Sequence, residues 1–309
     1  SSFREPGTGF SIEVAAMGRL AACFLSAVLV SRPLAFEGGV STVVLNNGVE
    51  MPSMAFAVQV WPDATCKSAT AAALQAGFRF IWSSILVGAP CQSAQHEGIS
   101  RDELCLAGTV NTGGCPDEDA CYRQTKSYAE GQMKILSPEG GKLDMLMLDY
   151  PASAGCDAIA GQWKAFEELY TGGQARSIAV SNFSPEQLKC VQAHHSVIMP
   201  AVNQMPFSVG HGNDTVVADD AAFGTVVQAY SPLGTGSLVR DELCTSIGQR
   251  YGKSAVQVAL KWIIQKCVSI ATQSTNLQHL KDDLDIFDFN LSDQEMAQLN
   301  AHSGLTFVV

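Results

Sequence analysis

Positive charge is scarce in this chain. Nineteen lysines and arginines stand against thirty aspartates and glutamates in 309 residues, a formal net charge of −11. With no basic excess and no basic stripe, there is no electrostatic footprint for nucleic acid, whose phosphates must be met by clustered cations. The same shortage excludes a body that docks by charge on anionic lipid. No CxxC pair occurs, so a zinc ribbon finds no support, and no metal-ligand set is read. Internal repeats and low-complexity runs are absent too. What is present in quantity is apolar: hydrophobic residues make up 47% and charged ones 16%. That is enough for a sizeable core, and a single α/β barrel fits the length.

Five of the ten cysteines (Cys91, Cys105, Cys115, Cys121 and Cys156) fall in one 66-residue stretch. Cys115 and Cys121 bracket a short acidic loop, which reads equally as a disulfide staple or as a pair of free, half-buried thiols. Disulfides would imply an oxidising compartment.

Residues 1–39 differ in kind from the remainder. Arg4, Arg19 and Arg32 cancel Glu5, Glu13 and Glu37 there, so the whole net charge falls on residues 40–309. Ile12 to Val30 is a largely apolar run, near the length of about 20 residues that spans a bilayer. Gly18, Ala22 and Ser26 recur on one face, where a second helix could approach closely. Arg19 inside such a helix needs an acidic or carbonyl partner. The alternative is a signal peptide with Arg19 as its charged flank, although Pro33-Leu34-Ala35 makes a poor cleavage site. A chain opening on Ser1 is expected to have been processed upstream. The favoured expectation is a membrane anchor (12–30) with a linker to residue 39, docked through residues 10–35 on other membrane subunits. Glu13…Met17-Gly18-Arg19-Leu20-Ala21 also resembles the pigment-binding helices of light-harvesting antenna proteins, which implies pigments close by. Here Met17 replaces their Asn, and the Glu lies one residue too far away.

From residue 40 onward strands and helices alternate. Asn47-Gly48 predicts a type I′ hairpin turn between Val43 and Met51. Strand-like runs occupy 54–58, 80–81, 104–107, 145–148, 177–180, 201–203, 226–229 and 268–271. Helical patterns lie between them, for example over 66–76, 120–136, 162–170 and 185–194. Eight strands in this alternation predict a parallel (β/α)₈ barrel over residues 40–309. Ser292-Asp293-Gln294-Glu295 is a capping box that opens a last helix.

Several segments then resemble the aldo-keto reductase family in the expected order. They are Leu45–Pro52, Ala76–Ile81, Arg176–Ser184, Ala201–Gln204, Ala229–Gly234 and Phe289–Asp293. The resemblance implies a TIM barrel and hydride transfer from a nicotinamide cofactor, with an aspartate, a tyrosine, a lysine and a histidine at the strand ends. At those family positions this chain carries Trp82, Val87, Thr109 and Asp149. Carboxamide-binding positions are kept as Ser181, Asn182 and Gln204, and the ring that stacks on nicotinamide as Tyr230. Ser231, Leu233, Ser274 and Asn276 match contacts to the phosphates and ribose. Gln273 and His279 replace the cations that meet the 2′-phosphate, and Asp282 and Asp283 stand where adenine is met.

The expectation drawn from this is a pseudoenzyme with no catalytic residues and a vestigial cofactor site, leaving residual NAD(P) binding at most. As a function it predicts a structural subunit of an organelle-membrane complex, with the thylakoid photosystem–antenna assembly as the named case. The family supplies a precedent in its members that are accessory subunits of potassium channels. Two alternatives stay open: a weak dinucleotide-binding redox sensor, and an oxidoreductase of changed chemistry that uses Asp149. His194-His195 resembles a metal pair, but a solvated helix end accounts for it.

Overall fold

The computed structural model describes residues 41–58, 61–84, 99–137, 142–212 and 214–303. The anchor helix at 12–30, with Gly18, Arg19, Ala22 and Ser26, lies outside these residues, as do the antenna-like motif and Val87.

A hairpin comes first, β1 (Thr42–Val44) against β2 (Glu50–Pro52), with Val43 opposite Met51. Its turn is not type I′. Gly48 takes φ 79°, but Asn47 is not among the residues of positive φ. Asn47 is held otherwise: its Oδ1 accepts from Val49 N, and its Nδ2 donates to Arg176 O at 2.8 Å. The hairpin is thereby tied to the start of a barrel strand, and its Leu45 and Met51 join the core inside the barrel.

Eight parallel strands close the barrel: β3 (Met54–Val58), β4 (Phe80–Ser83), β5 (Cys105–Val110), β6 (Leu143–Leu148), β7 (Ala175–Ser181), β8 (Val202–Pro206), β9 (Val226–Tyr230) and β10 (Ser269–Thr272). β10 pairs with β3 to complete the ring, Ile270 beside Met54. Around it run α1 (Asp63–Ala76), α2 (Glu118–Leu136), α3 (Cys156–Thr171), α4 (Pro185–His194), α5 (Asp214–Ala222), α6 (Glu242–Gln249), α7 (Ala255–Gln265), α8 (Leu277–Leu284) and α9 (Asp293–Asn300). The (β/α)₈ fold expected from the alternation is what the chain adopts.

Strand side chains alternate between two cores. Ala55, Ala57, Phe80, Ala107, Met145, Met147, Ala179 and Ala271 point inward; Phe56, Ile81, Leu106, Leu146, Leu148, Ile178 and Ile270 pack outward beneath the helices. Carried along each strand, this parity sets Trp82, Thr109, Asp149, Ser181, Gln204 and Tyr230 on the inward face at the C-terminal ends. The small inward alanines leave space around them.

Side-chain bonds brace the ends. Asp144, buried at the start of β6, binds Arg101 at 2.8 Å and Arg176 at 3.0 Å and accepts from Leu106 N. Buried Glu167 on α3 accepts from the N–H groups of Ser196, Val197 and Ile198, at 2.7 Å for Val197. The Cys115–Cys121 staple is formed, with Cα atoms 5.1 Å apart. A second bridge joins Cys156 at the start of α3 to Cys190 on α4.

Candidate functional site at the mouth of the barrel

A cleft of about 650 Å³ opens over the C-terminal strand ends, where barrel active sites lie. Trp82, Asp149, Ser181, Asn182, Gln204, Tyr230, Ser231 and Leu233 all line it. Sequence reasoning passed over further members of the lining: Tyr150, Thr235, Gly236 and Thr272. Strand parity is the signal that would have found Thr272's neighbour Ala271, which also lines it; nothing local marks the loop residues.

One wall is a hydrogen-bonded network. Ser181 Oγ donates to Gln204 O at 2.9 Å, and Asn182 Nδ2 donates to Asp149 O at 3.2 Å. Tyr230 Oη donates to Asn182 Oδ1 at 3.0 Å. Gln204 Nε2 donates to Gln228 Oε1 at 2.7 Å inside the barrel, so the Gln204 oxygen is the acceptor left to face a ligand. Asn182 and Ser231 both take positive φ, 63° and 49°. Asparagine tolerates that conformation better than most residues, and such backbone clusters at functional sites.

Electrostatically the cleft has one pole. Asp149 is the only ionisable acid or base of its described lining apart from the phenols of Tyr150 and Tyr230. Burial raises the Asp149 pKa, and the nearby Ser181 hydroxyl, whose proton goes to Gln204 O, offsets this only in part. Burial also raises that of Tyr230, with Tyr150 and Asp149 adding to the effect.

Other expected site residues are engaged elsewhere. Thr109 is fully buried and donates to Ser83 O at 2.9 Å, so it ties β5 to β4. Ser274 Oγ accepts from Asn276 N, while Asn276 Oδ1 caps α8 through Gln278 N and His279 N. Asp283 is one of the two acids at the expected adenine positions. It is buried, accepts from Thr272 Oγ1 at 3.1 Å, and has its pKa pushed by burial up to about 7. Gln273 does line the cleft, whose described lining holds no lysine or arginine.

Comparison with known proteins fits this geometry. The family model described as "Aldo/keto reductase family" matches residues 139–303. An aldo-keto reductase of Mycobacterium sp. (strain KMS) is 30% identical over 266 residues, 85% of this chain and 93% of the relative. The chain belongs to the aldo/keto reductase family. A morphine 6-dehydrogenase of Pseudomonas putida is 30% identical over 83% of this chain and 89% of its own length. Among solved structures, a Bombyx mori aldo-keto reductase in complex with NADP superposes with a TM-score of 0.72 at 25% identity, covering 84% of this chain and 92% of that one.

These matches correct the functional expectation. Relatives that this chain spans almost end to end bear the names of reductases and a dehydrogenase, which overturns the reading as a non-catalytic subunit and as a pseudoenzyme. Among the described residues no helix is long and apolar enough to cross a membrane. The thylakoid and organelle-membrane placement is overturned by the same matches, to relatives named as reductases and a dehydrogenase. The physical source of the error is plain at the cleft. Loss of family residues is not by itself loss of chemistry, since the strand ends still bring a half-buried carboxyl, a tyrosine ring and an amide wall into one space.

Proposed function

We propose that this aldo/keto reductase family member is a nicotinamide-dependent oxidoreductase working in the cleft at its strand ends, with Asp149 as the group that moves the proton. The observation that carries this reading is the single wall made by Ser181, Asn182, Gln204 and Tyr230 beside that carboxyl. The residues present suit the nicotinamide end of a dinucleotide. Tyr230 offers a ring face for stacking. Gln204, Asn182 and Ser181 offer amide and hydroxyl groups to a carboxamide, and their mutual bonds hold them in place beforehand. Ser231 and Leu233 continue the lining toward the phosphates.

When bound, the dinucleotide supplies or accepts a hydride. The chain's own part is to orient and to handle the proton. Asp149 keeps its proton to higher pH than a surface aspartate does, because its charged form is poorly solvated. A carboxyl shifted in that direction is better placed to hold and hand on a proton than a surface aspartate is. Trp82 adds an aromatic surface to the lining. With no cation in the described lining and Gln273 at its edge, a 2′-phosphate gains nothing over a hydroxyl.

Titration of NADH and NADPH against the full chain, followed by quenching of tryptophan fluorescence, tests this. Saturable binding with no preference for the phosphorylated form is expected, weakened about tenfold by Tyr230→Ala through the lost stacking face. Absence of binding for both dinucleotides would refute the reading.

A further inference from the structure

A carbonyl that accepts a hydride becomes an alkoxide, so carbonyl reduction needs donors or cations where the negative charge appears. The described lining of this cleft has no lysine, arginine or histidine, and Asp149 is its one side chain that ionises to a carboxylate. Among the described residues no ion pair holds this group, and the side chain that eases its burial is Ser181. Trp82, Tyr150 and Tyr230 line the same cleft. A half-buried, unpaired carboxylate in a cleft with aromatic side chains is a site for an organic cation, which gains both an ion pair and cation–π contact. The chain's net charge of −11 draws cations toward it from a distance.

We propose that the hydride acceptor of this site is a carbon–nitrogen double bond, an iminium ion or a cyclic imine protonated by Asp149, and not a carbonyl. The step reverses the electrostatic demand, because the species that takes the hydride is positive and the product it forms is neutral. Protonated Asp149 gives its proton to the imine nitrogen, a far stronger base than a carbonyl oxygen, and the resulting carboxylate pairs with the iminium. Hydride from a dihydronicotinamide then forms the new C–H bond. The C=N π pair becomes the nitrogen lone pair, the product is an amine, and the dinucleotide is oxidised by two electrons. Asp149 regains a proton from water. In sum, imine, reduced dinucleotide and one proton give amine and oxidised dinucleotide. No proton donor as strong as an activated tyrosine is required, which accounts for a site without a lysine beside it.

The inference rests on the dinucleotide reading above, and the experiment separates the two. 2-Methyl-3,4-dihydroisoquinolinium and 1-tetralone, a neutral bicyclic ketone of similar size, are titrated calorimetrically into the full chain without cofactor, and both are then offered as substrates with NADH and NADPH. The cation is expected to bind at least about tenfold tighter than the ketone, with the preference falling as salt rises. Asp149→Asn should abolish that preference while leaving ketone affinity unchanged and the melting temperature no lower, which excludes a folding defect. With a dinucleotide present, the iminium should be reduced and the ketone should not. Equal affinity for the two probes, or a preference that survives in Asp149→Asn, overturns the inference. If a dinucleotide binds and only the ketone turns over, the iminium reading alone falls. If neither dinucleotide binds, the hydride step falls together with the reading it rests on, even where the cation preference is seen.

Discussion

Replacing Asp220 with asparagine removes a buried ionisable group while keeping its shape. Asp220 lies on α5 with no exposed surface, and neither carboxylate oxygen has a hydrogen-bond partner. Burial pushes its pKa from 3.8 up to about 7; Asn203 eases the shift and Asp219 adds to it. Little help can come from Asn203, whose amide is committed to the Phe183 main chain, its Nδ2 2.9 Å from the carbonyl. The folded chain therefore keeps a proton that the unfolded chain gives up near pH 4. Below that pH both states are protonated and the group costs nothing. As pH rises from about 4 to about 7 the unfolded state ionises first, so stability falls across that window and levels off above it. A shift of about 3 units corresponds to about 4 kcal/mol, and half of that, about 2 kcal/mol, remains after relaxation of the native site. Asp283 titrates in the same direction, but it is present in both proteins and cancels in their difference. Asp220→Asn should thus raise the melting temperature by about 4–8 °C more at pH 8 than at pH 4.5. Scanning calorimetry of both proteins at the two pH values measures this. An equal change at both, or a larger one at pH 4.5, would refute the account of Asp220 as a carboxyl ionised at the expense of the fold.

Two further perturbations probe the frame around the cleft. Glu167 is buried, which raises its pKa, but Ser196 Oγ and the N–H groups of Ser196, Val197 and Ile198 outweigh this and lower it overall. Glu167→Gln should cost about 1–3 kcal/mol in urea unfolding at pH 7. Because the folded pKa is depressed, that cost should shrink as pH falls below the ordinary glutamate value of 4.5. Gly161, in α3, has the main chain of Glu118 where a Cβ would sit, with the Glu118 Cα only 2.9 Å away. Gly161→Ala should then destabilise by about 1–3 kcal/mol through forced separation of α2 and α3, seen as a lower urea midpoint. An unchanged midpoint would mean that the two helices do not pack as closely as described.

Most of the barrel could be read from the sequence because its strands are short apolar runs between helical patterns. Strand β3 falls at Met54–Val58 as expected, and helix α4 at Pro185–His194. Boundaries slipped where polar residues continue a strand. The expected run 201–203 ends before Gln204, Met205 and Pro206, yet β8 includes them, since their ladder partners on β9 are in place. Those polar strand ends are the site, so the weakest part of the strand pattern is the part that carries the function. Helix α3 begins at Cys156, not Gln162, because Gly161 is kept for the contact with Glu118 despite its poor helix propensity. The Cys156–Cys190 bridge spans 34 residues and has no local signature, unlike Cys115 and Cys121, six apart.

At the cleft itself, residue types were legible and their states were not. Parity alone places Asp149, Ser181, Gln204 and Tyr230 on one inward ring, and the structure keeps them there. Thr109 has the same parity, yet its hydroxyl is spent on Ser83, while Asp283, expected at a ligand, is spent on Thr272. Which of two polar residues faces a ligand is decided by what the neighbouring strand offers it, and sequence pattern carries no such information. The error about function has the same root. A missing lysine and tyrosine show only that one way of delivering a proton to an oxygen is gone. Whether another remains depends on burial and on unpaired charge. Asp149 has both, half-buried beside one hydroxyl in a cleft whose described lining offers it no cation. A charge left unpaired in such a place costs stability, and the partner that would relieve that cost is the substrate.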